Sequence, residues 1–154
     1  MFNHFLTFNR NFGWWIALVF AMLAPESGMN RVSQKRQFSE VDTKRVSAVR
    51  EEVIGIFRHL FPHANPECLN TAFESVQAAF SGRYADYQPI DAKYHDFEHT
   101  LQGTLCYARL LEGYKLADTQ PPLTQRMFEL GMLAILLHDT GYLKKKADRQ
   151  GTGA

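Results

Sequence analysis

From Asp42 onward, hydrophobic residues recur at intervals of three and four along the chain, and this spacing predicts amphipathic α-helices. The first predicted helix ends at Pro62. The second begins at Asn65, a typical N-cap residue followed by a proline and an acid, and it stops at Gly82. The hydrophobic stripes of these two helices are Val46, Val49, Val53, Phe57 and Leu60, then Leu69, Ala72, Phe73, Val76 and Phe80.

A loop rich in aromatic residues, 83–93, separates these helices from a third, which is predicted to begin after the N-cap Asp96 and to run to Gly113. A fourth helix follows a loop with two prolines, and Thr124 is its candidate cap. It contains Leu130–Leu137, a run of apolar or small residues that is too short to span a bilayer and predicts a helix buried on all sides. The pattern contains no strand-like alternation, so the predicted fold class is all-α.

The fourth helix runs directly into His138-Asp139-Thr140-Gly141. A carboxylate and an imidazole at the edge of a core are costly to bury unless they are paired, and a metal ion is one efficient partner. Gly141 is predicted to end the helix in a left-handed conformation. His138 and Asp139 would then lie at the helix C-terminus, whose partial negative charge favours a cation.

Composition limits the partners of such a site. The chain of 154 residues has the length of a single domain, and its 45% hydrophobic and 21% charged residues are typical of a globular protein. A net charge of +1 argues against nucleic acid as a partner. The basic run of residues 144–146 is interpreted as a solvated face, and Cys68 and Cys106 as reduced core side chains.

Residues 1–40 are predicted to be a leader outside the core domain, which is assigned to residues 41–154. An apolar run within residues 12–24 has the length of a signal-peptide core and is too short to span a membrane as a helix. Three interpretations compete: an export signal, a membrane-associating segment, or a leader translated upstream of a true start at Met29. The interpretation with a true start at Met29 predicts a cytoplasmic protein. Export is disfavoured because the two cysteines of the chain look unpaired.

Two histidines four residues apart, His95 and His99, share one face at the start of the third helix. A hydrolytic metal site needs imidazoles and carboxylates that hold the ion while leaving positions open for water and substrate. His99, His138 and Asp139 can supply three such ligands from two helices. His95, one turn earlier, can stand beside the ion and protonate a leaving oxygen as a general acid. The alternative is that the histidines cap or pair locally and that His-Asp is a chance dipeptide.

The order of these motifs resembles a known family. The segment Tyr94–His99, a gap of about forty residues, and the segment Leu136–Gly141 together resemble the HD-domain metal-dependent phosphohydrolase superfamily, and within it the cyclic-nucleotide phosphodiesterase-like branch. The resemblance covers roughly Asp91 to the C-terminus. It implies an all-helical HD-domain-like bundle and a substrate that is a phosphorylated small molecule or a nucleotide.

The resemblance also implies roles for individual residues. His99, His138 and Asp139 would be ligands of a mono- or binuclear centre of Mn, Fe, Mg or Zn, and Asp139 could bridge two ions. His95 would be the general acid. The sequence departs from the pattern at Asp96, where the phosphodiesterase branch has asparagine.

A second departure concerns the later part of the pattern, in which the family's site is closed by an aspartate from a later helix. Asp148 is the only carboxylate side chain after Asp139. The chain is therefore expected to be the N-terminal part of an HD domain, with low activity and with self-association through exposed apolar surface. The predicted function is metal-dependent hydrolysis of phosphomonoesters or phosphodiesters. The alternatives are an inactive HD-like module that binds a nucleotide or a protein partner, and a structural helical module without metal.

Overall fold

The computed structural model describes residues 38–149, and these residues are predominantly helical. The prediction of an all-α fold is confirmed for this part of the chain, where pairing of extended backbone is limited to two isolated bridges. The predicted leader lies outside the described residues except at 38–40. The elements are α1 (Val46–Leu60), α2 (Glu67–Phe80), α3 (Phe97–Leu116), α4 (Gln125–Leu137) and a 3-10 helix (Thr140–Tyr142).

The caps that begin α3 and α4 are the ones predicted. Asp96 Oδ1 accepts a hydrogen bond from the backbone N–H of His99 at 2.8 Å, and Thr124 Oγ1 accepts one from Met127 at 3.2 Å. Each bond satisfies an N–H that has no partner within its own helix. Because α3 begins at a fixed point, the cap also sets where His99 lies on that helix.

The first helix begins at Val46, four residues after Asp42, from which the helical spacing runs in the sequence. Asp42 explains the difference, because its Oδ1 accepts from the N–H of Lys44 at 3.0 Å and its carbonyl accepts from the N–H of Arg45 at 3.2 Å. An aspartate that bonds the backbone two residues ahead forms a turn that competes with the helix. The second helix begins at Glu67, two residues after its predicted N-cap, Asn65. Asn65 Oδ1 accepts a hydrogen bond from the N–H of Glu67 at 3.0 Å.

The core is centred on a cluster of three phenylalanines that joins α1 to α4. The ring of Phe57 lies 5.5 Å from those of both Phe61 and Phe128, and Phe61 and Phe128 are 6.0 Å apart, measured between centroids. Phe57 and Phe128 are fully buried. The third helix packs against α1 and α4, and α4 packs against α2. The two helices whose ends carry the histidines, α3 and α4, therefore pack directly against each other.

The prediction that Leu130–Leu137 is buried on all sides is wrong. Phe128, Met132 and Leu136 are fully buried, whereas Leu130 and Leu137 are 47% and 46% exposed. The described residues thus cover one face of α4 and leave the other to solvent. Self-association through that face stays a prediction. None of the helices described here is both long enough and apolar enough to cross a membrane.

Three other interpretations from the sequence need correction. Cys68 and Cys106 are exposed free thiols, because each lies on the outer side of its helix. Lys144 does not belong to a freely solvated face, since its side chain is only 14% exposed and its Nζ forms an ion pair with Asp91. Lys145 and Lys146 are exposed as predicted.

Gly131 provides a test of how closely α3 and α4 pack. A Cβ at this position would lie 2.5 Å from both Cε1 and the hydroxyl oxygen of Tyr107, a half-buried side chain whose burial raises the pKa of its phenol. Replacing Gly131 with alanine should therefore leave the chain about 1–3 kcal/mol less stable than the same replacement of Gly113, measured by urea unfolding. Gly113→Ala is the matched control, because its Cβ would meet nothing within 4 Å.

The control should gain about 0.5–1 kcal/mol, since glycine is unfavourable inside a helix. In a Tyr107→Ala background, Gly131→Ala should cost much less stability than it does in wild type, because the obstructing ring is absent. Equal stabilities for the two glycine variants would contradict the close contact.

Candidate metal centre

The four site residues predicted from the sequence come together at the adjoining ends of α3 and α4. His95 lies in the loop just before α3, and His99 lies in the first turn of that helix. His138 is the C-cap residue of α4, and Asp139 follows it. The ring centroids of His99 and His138 are 5.8 Å apart, so the two side chains face a common space.

Asp139 is the centre of this cluster, and its side chain is only 5% exposed. Its Oδ1 lies 3.1 Å from Nδ1 of His95. Its Oδ2 lies 3.0 Å from Nε2 of His138 and 4.0 Å from Nε2 of His99. One buried carboxylate is therefore within reach of three imidazoles.

Two of these atoms lack the hydrogen bonds that buried polar atoms normally make. His95 Nδ1 and Asp139 Oδ2 are buried, and neither has a hydrogen-bond partner among the described residues, although Oδ1 of Asp139 and Nε2 of His138, respectively, lie 3.1 and 3.0 Å away. An unsatisfied buried polar atom costs about 1–3 kcal/mol, and more if it is charged. A cation between these groups would remove that cost, so the donor atoms fit a metal ion.

The spacing of the ligand atoms also fits an ion. His95, His99 and Asp139 each offer one ligand atom, and these atoms lie within 4.8 Å of one another. Two ligands that each lie about 2.0–2.3 Å from one ion are separated by at most about 4.6 Å, so a small adjustment suffices. This group contains His95, the predicted general acid, in place of His138, a predicted ligand. The division of roles between these two histidines stays a prediction.

His138 is oriented by the helix that carries it. Its Nδ1 lies 2.7 Å from the carbonyl oxygen of Ile135, which can only accept, so Nδ1 is the donor. Its Nε2 lies 3.0 Å from Asp139 Oδ2. A histidine whose other nitrogen donates to a backbone carbonyl is the usual arrangement of a metal ligand.

The chain leaves α4 differently from the prediction. Among the described glycines only Gly82 has a positive φ, so the left-handed stop predicted at Gly141 is wrong. The Thr140 hydroxyl instead donates to the carbonyl of Leu137 at 2.7 Å, and the N–H of Tyr142 donates to the carbonyl of Asp139 at 3.1 Å. These bonds satisfy carbonyls at the helix end through a 3-10 turn, which is a common alternative to a glycine cap.

Sequence reasoning did not identify Tyr142 as part of the cluster. Its ring stacks on the imidazole of His95, with 4.2 Å between centroids and 15° between planes. The available signal was an aromatic residue three positions after Asp139, which by itself does not reveal a contact with a residue in another loop.

The segment after the 3-10 helix is tied to the loop that leads to His95. The N–H of Gln88 donates to the carbonyl of Lys144 at 2.8 Å, and the N–H of Lys146 donates to the carbonyl of Asp86 at 2.8 Å. The ion pair between Lys144 and Asp91 adds a side-chain link. The loop before His95 and the segment after Asp139 are therefore joined by two backbone hydrogen bonds and one ion pair.

The chain was compared with protein-family models, curated proteins and solved structures, and none of them matches it.

Proposed function

We propose that this chain carries the metal-binding part of an HD-domain-like phosphohydrolase that cleaves phosphomonoesters or phosphodiesters. One observation carries the proposal: His95, His99 and His138 converge on the buried carboxylate of Asp139. These are the residues that the motif order singles out, and they come from two elements separated by about forty residues. The neutral imidazoles and the carboxylate suit Mn²⁺, Fe²⁺ or a similar divalent ion.

In this proposal His99, His138 and Asp139 hold the ion. A bound divalent ion supplies Lewis-acid polarisation of a phosphoryl oxygen and a more acidic water. His95 is then the general acid. Its Nδ1 faces Asp139 at 3.1 Å, which leaves Nε2 as the nitrogen that can give a proton to the leaving oxygen. The His95 side chain is 36% exposed, so it is open to a substrate, whereas Asp139 is not.

The alternative is an inactive HD-like module that binds a nucleotide or a protein partner. The composition of the cluster supports this alternative, because within residues 38–149 the cluster contains one carboxylate, Asp139. One carboxylate neutralises only half the charge of a divalent ion. We therefore expect slow turnover even if the metal binds.

The proposal is tested by loading the purified chain with Mn²⁺ or Fe²⁺, removing free metal by gel filtration and measuring bound metal in wild type, His138→Ala and His59→Ala. His59 is an exposed histidine of α1 and serves as the control. Wild type and the control should retain about one or two ions per chain, and His138→Ala should retain much less. Equal metal in wild type and His138→Ala would reject the proposed centre.

Hydrolysis of a generic aryl phosphodiester and an aryl phosphomonoester then separates the two functions. Slow turnover that depends on both the metal and His95 supports the phosphohydrolase. Metal binding without any turnover supports the inactive module.

A further inference from the structure

The imidazole of His95 is covered on one face by the ring of Tyr142. The two rings are nearly parallel, at 15°, with centroids 4.2 Å apart. The contact of His95 with His99 is different, since those rings are perpendicular and 6.1 Å apart. Tyr142 is thus the residue whose ring lies flat against the imidazole of His95.

The position of His95 makes such a partner necessary. His95 precedes the first residue of α3, and its side chain is 36% exposed. Its Nδ1 lies near Asp139 Oδ1 but makes no hydrogen bond. The terminal torsion of histidine has a broad energy profile, so neither the loop backbone nor the contact with the carboxylate fixes the ring plane. A stacked ring restricts that rotation.

Tyr142 is well placed for this because it belongs to the same short segment as Asp139. Its N–H donates to the carbonyl of Asp139 at 3.1 Å, so the two residues belong to one backbone turn. The backbone bond between Gln88 and Lys144 ties the end of this segment to the loop that leads to His95. The structure therefore holds ring, carboxylate and loop as one unit.

We infer that Tyr142 is a positioning residue, whose aromatic ring fixes the imidazole of His95 toward Asp139. The ring is the part required, and the hydroxyl is not. The effect of Tyr142 on catalysis through His95 rests on the proposed function, whereas its effect on the orientation of His95 does not.

The test compares Tyr142→Phe, which keeps the ring, with Tyr142→Leu and Tyr142→Met, which remove it. Tyr84→Leu is the control, because Tyr84 stacks on Tyr87 outside the cluster and is 51% exposed. Circular dichroism establishes that each variant is folded. Two measurements follow: nuclear Overhauser contacts between the His95 and His99 rings in the metal-free chain, and Co²⁺ affinity by visible absorption.

The phenylalanine variant and the control should match wild type in both measurements. The leucine and methionine variants should lose the contacts between the two histidine rings, while their Kd for Co²⁺ stays within about twofold of wild type, because His95 is not a ligand in the proposed function. Folded leucine or methionine variants that keep the contacts would overturn the inference, as would a phenylalanine variant that behaves like leucine. If wild type binds no Co²⁺, the proposed metal centre fails, and the contacts in the metal-free chain alone decide the inference.

Discussion

Asp139→Asn should raise the Kd for Mn²⁺ by more than about a hundredfold, since removing a ligand costs at least as much as removing a group that orients one. Asp139 is the carboxylate that lies within 4.0 Å of the three histidines, and the neutral amide of asparagine is a weaker ligand of nearly the same shape. Electron paramagnetic resonance of free Mn²⁺ measures the loss directly. Asp118→Asn, at an exposed position after α3, is the matched control and should bind like wild type.

The same substitution should leave the free energy of unfolding of the metal-free chain unchanged or raise it. The Oδ2 of Asp139 is buried without a hydrogen bond, and the neutral amide of asparagine costs less free energy to bury than a carboxylate. Asp139→Asn should therefore lower the metal affinity without lowering the free energy of unfolding of the metal-free chain. A large loss of stability without a change in Mn²⁺ affinity would show that Asp139 has a structural role only.

The parts of the fold that the sequence predicts correctly depend on local contacts. Asp96 and Thr124 cap their helices through a bond to the residue three positions ahead, and such a bond can be read from neighbouring residues. Capping also bears on Asp96, at which the phosphodiesterase branch that the sequence resembles has asparagine. Both side chains accept the hydrogen bond of an N-cap, so the start of α3 and the place of His99 on it are unaffected.

The errors concern features that depend on tertiary structure. The burial of Leu130 and Leu137 is decided by which elements lie beside α4, and an apolar sequence cannot show that one side lacks a neighbour. The stop predicted at Gly141 failed because the Thr140 hydroxyl and the N–H of Tyr142 satisfy the helix end instead. The candidate site depends on both local and tertiary contacts. The spacing of the histidines on one helix is local, whereas their meeting with Asp139 depends on how α3 and α4 pack.

Replacing Phe128 with alanine should lower the free energy of unfolding by about 3–5 kcal/mol, the usual cost of removing a buried aromatic ring from a core. Phe128 is fully buried, and its ring lies 5.5 Å from Phe57 and 6.0 Å from Phe61. Urea unfolding of the metal-free chain gives the value. Met127→Ala is the neighbouring control on α4, and because Met127 is 43% exposed, its loss should stay below about 1 kcal/mol. Similar losses for the two variants would contradict the core position of Phe128.

Adding metal to the Phe128 and Asp139 variants distinguishes the effect of the core on stability from that of the candidate metal site. A ligand that binds only the folded chain stabilises it by about 2.7 kcal/mol at a hundred times its Kd. Phe128 lies in the first turn of α4 and His138 follows the last, so the cavity left by Phe128→Ala is at the opposite end of the helix from the cluster. Saturating Mn²⁺ should therefore stabilise Phe128→Ala about as much as wild type, and Asp139→Asn should gain almost nothing. If Phe128→Ala also gains nothing, the geometry of the cluster depends on the phenylalanine core as well as on the turn that carries Asp139.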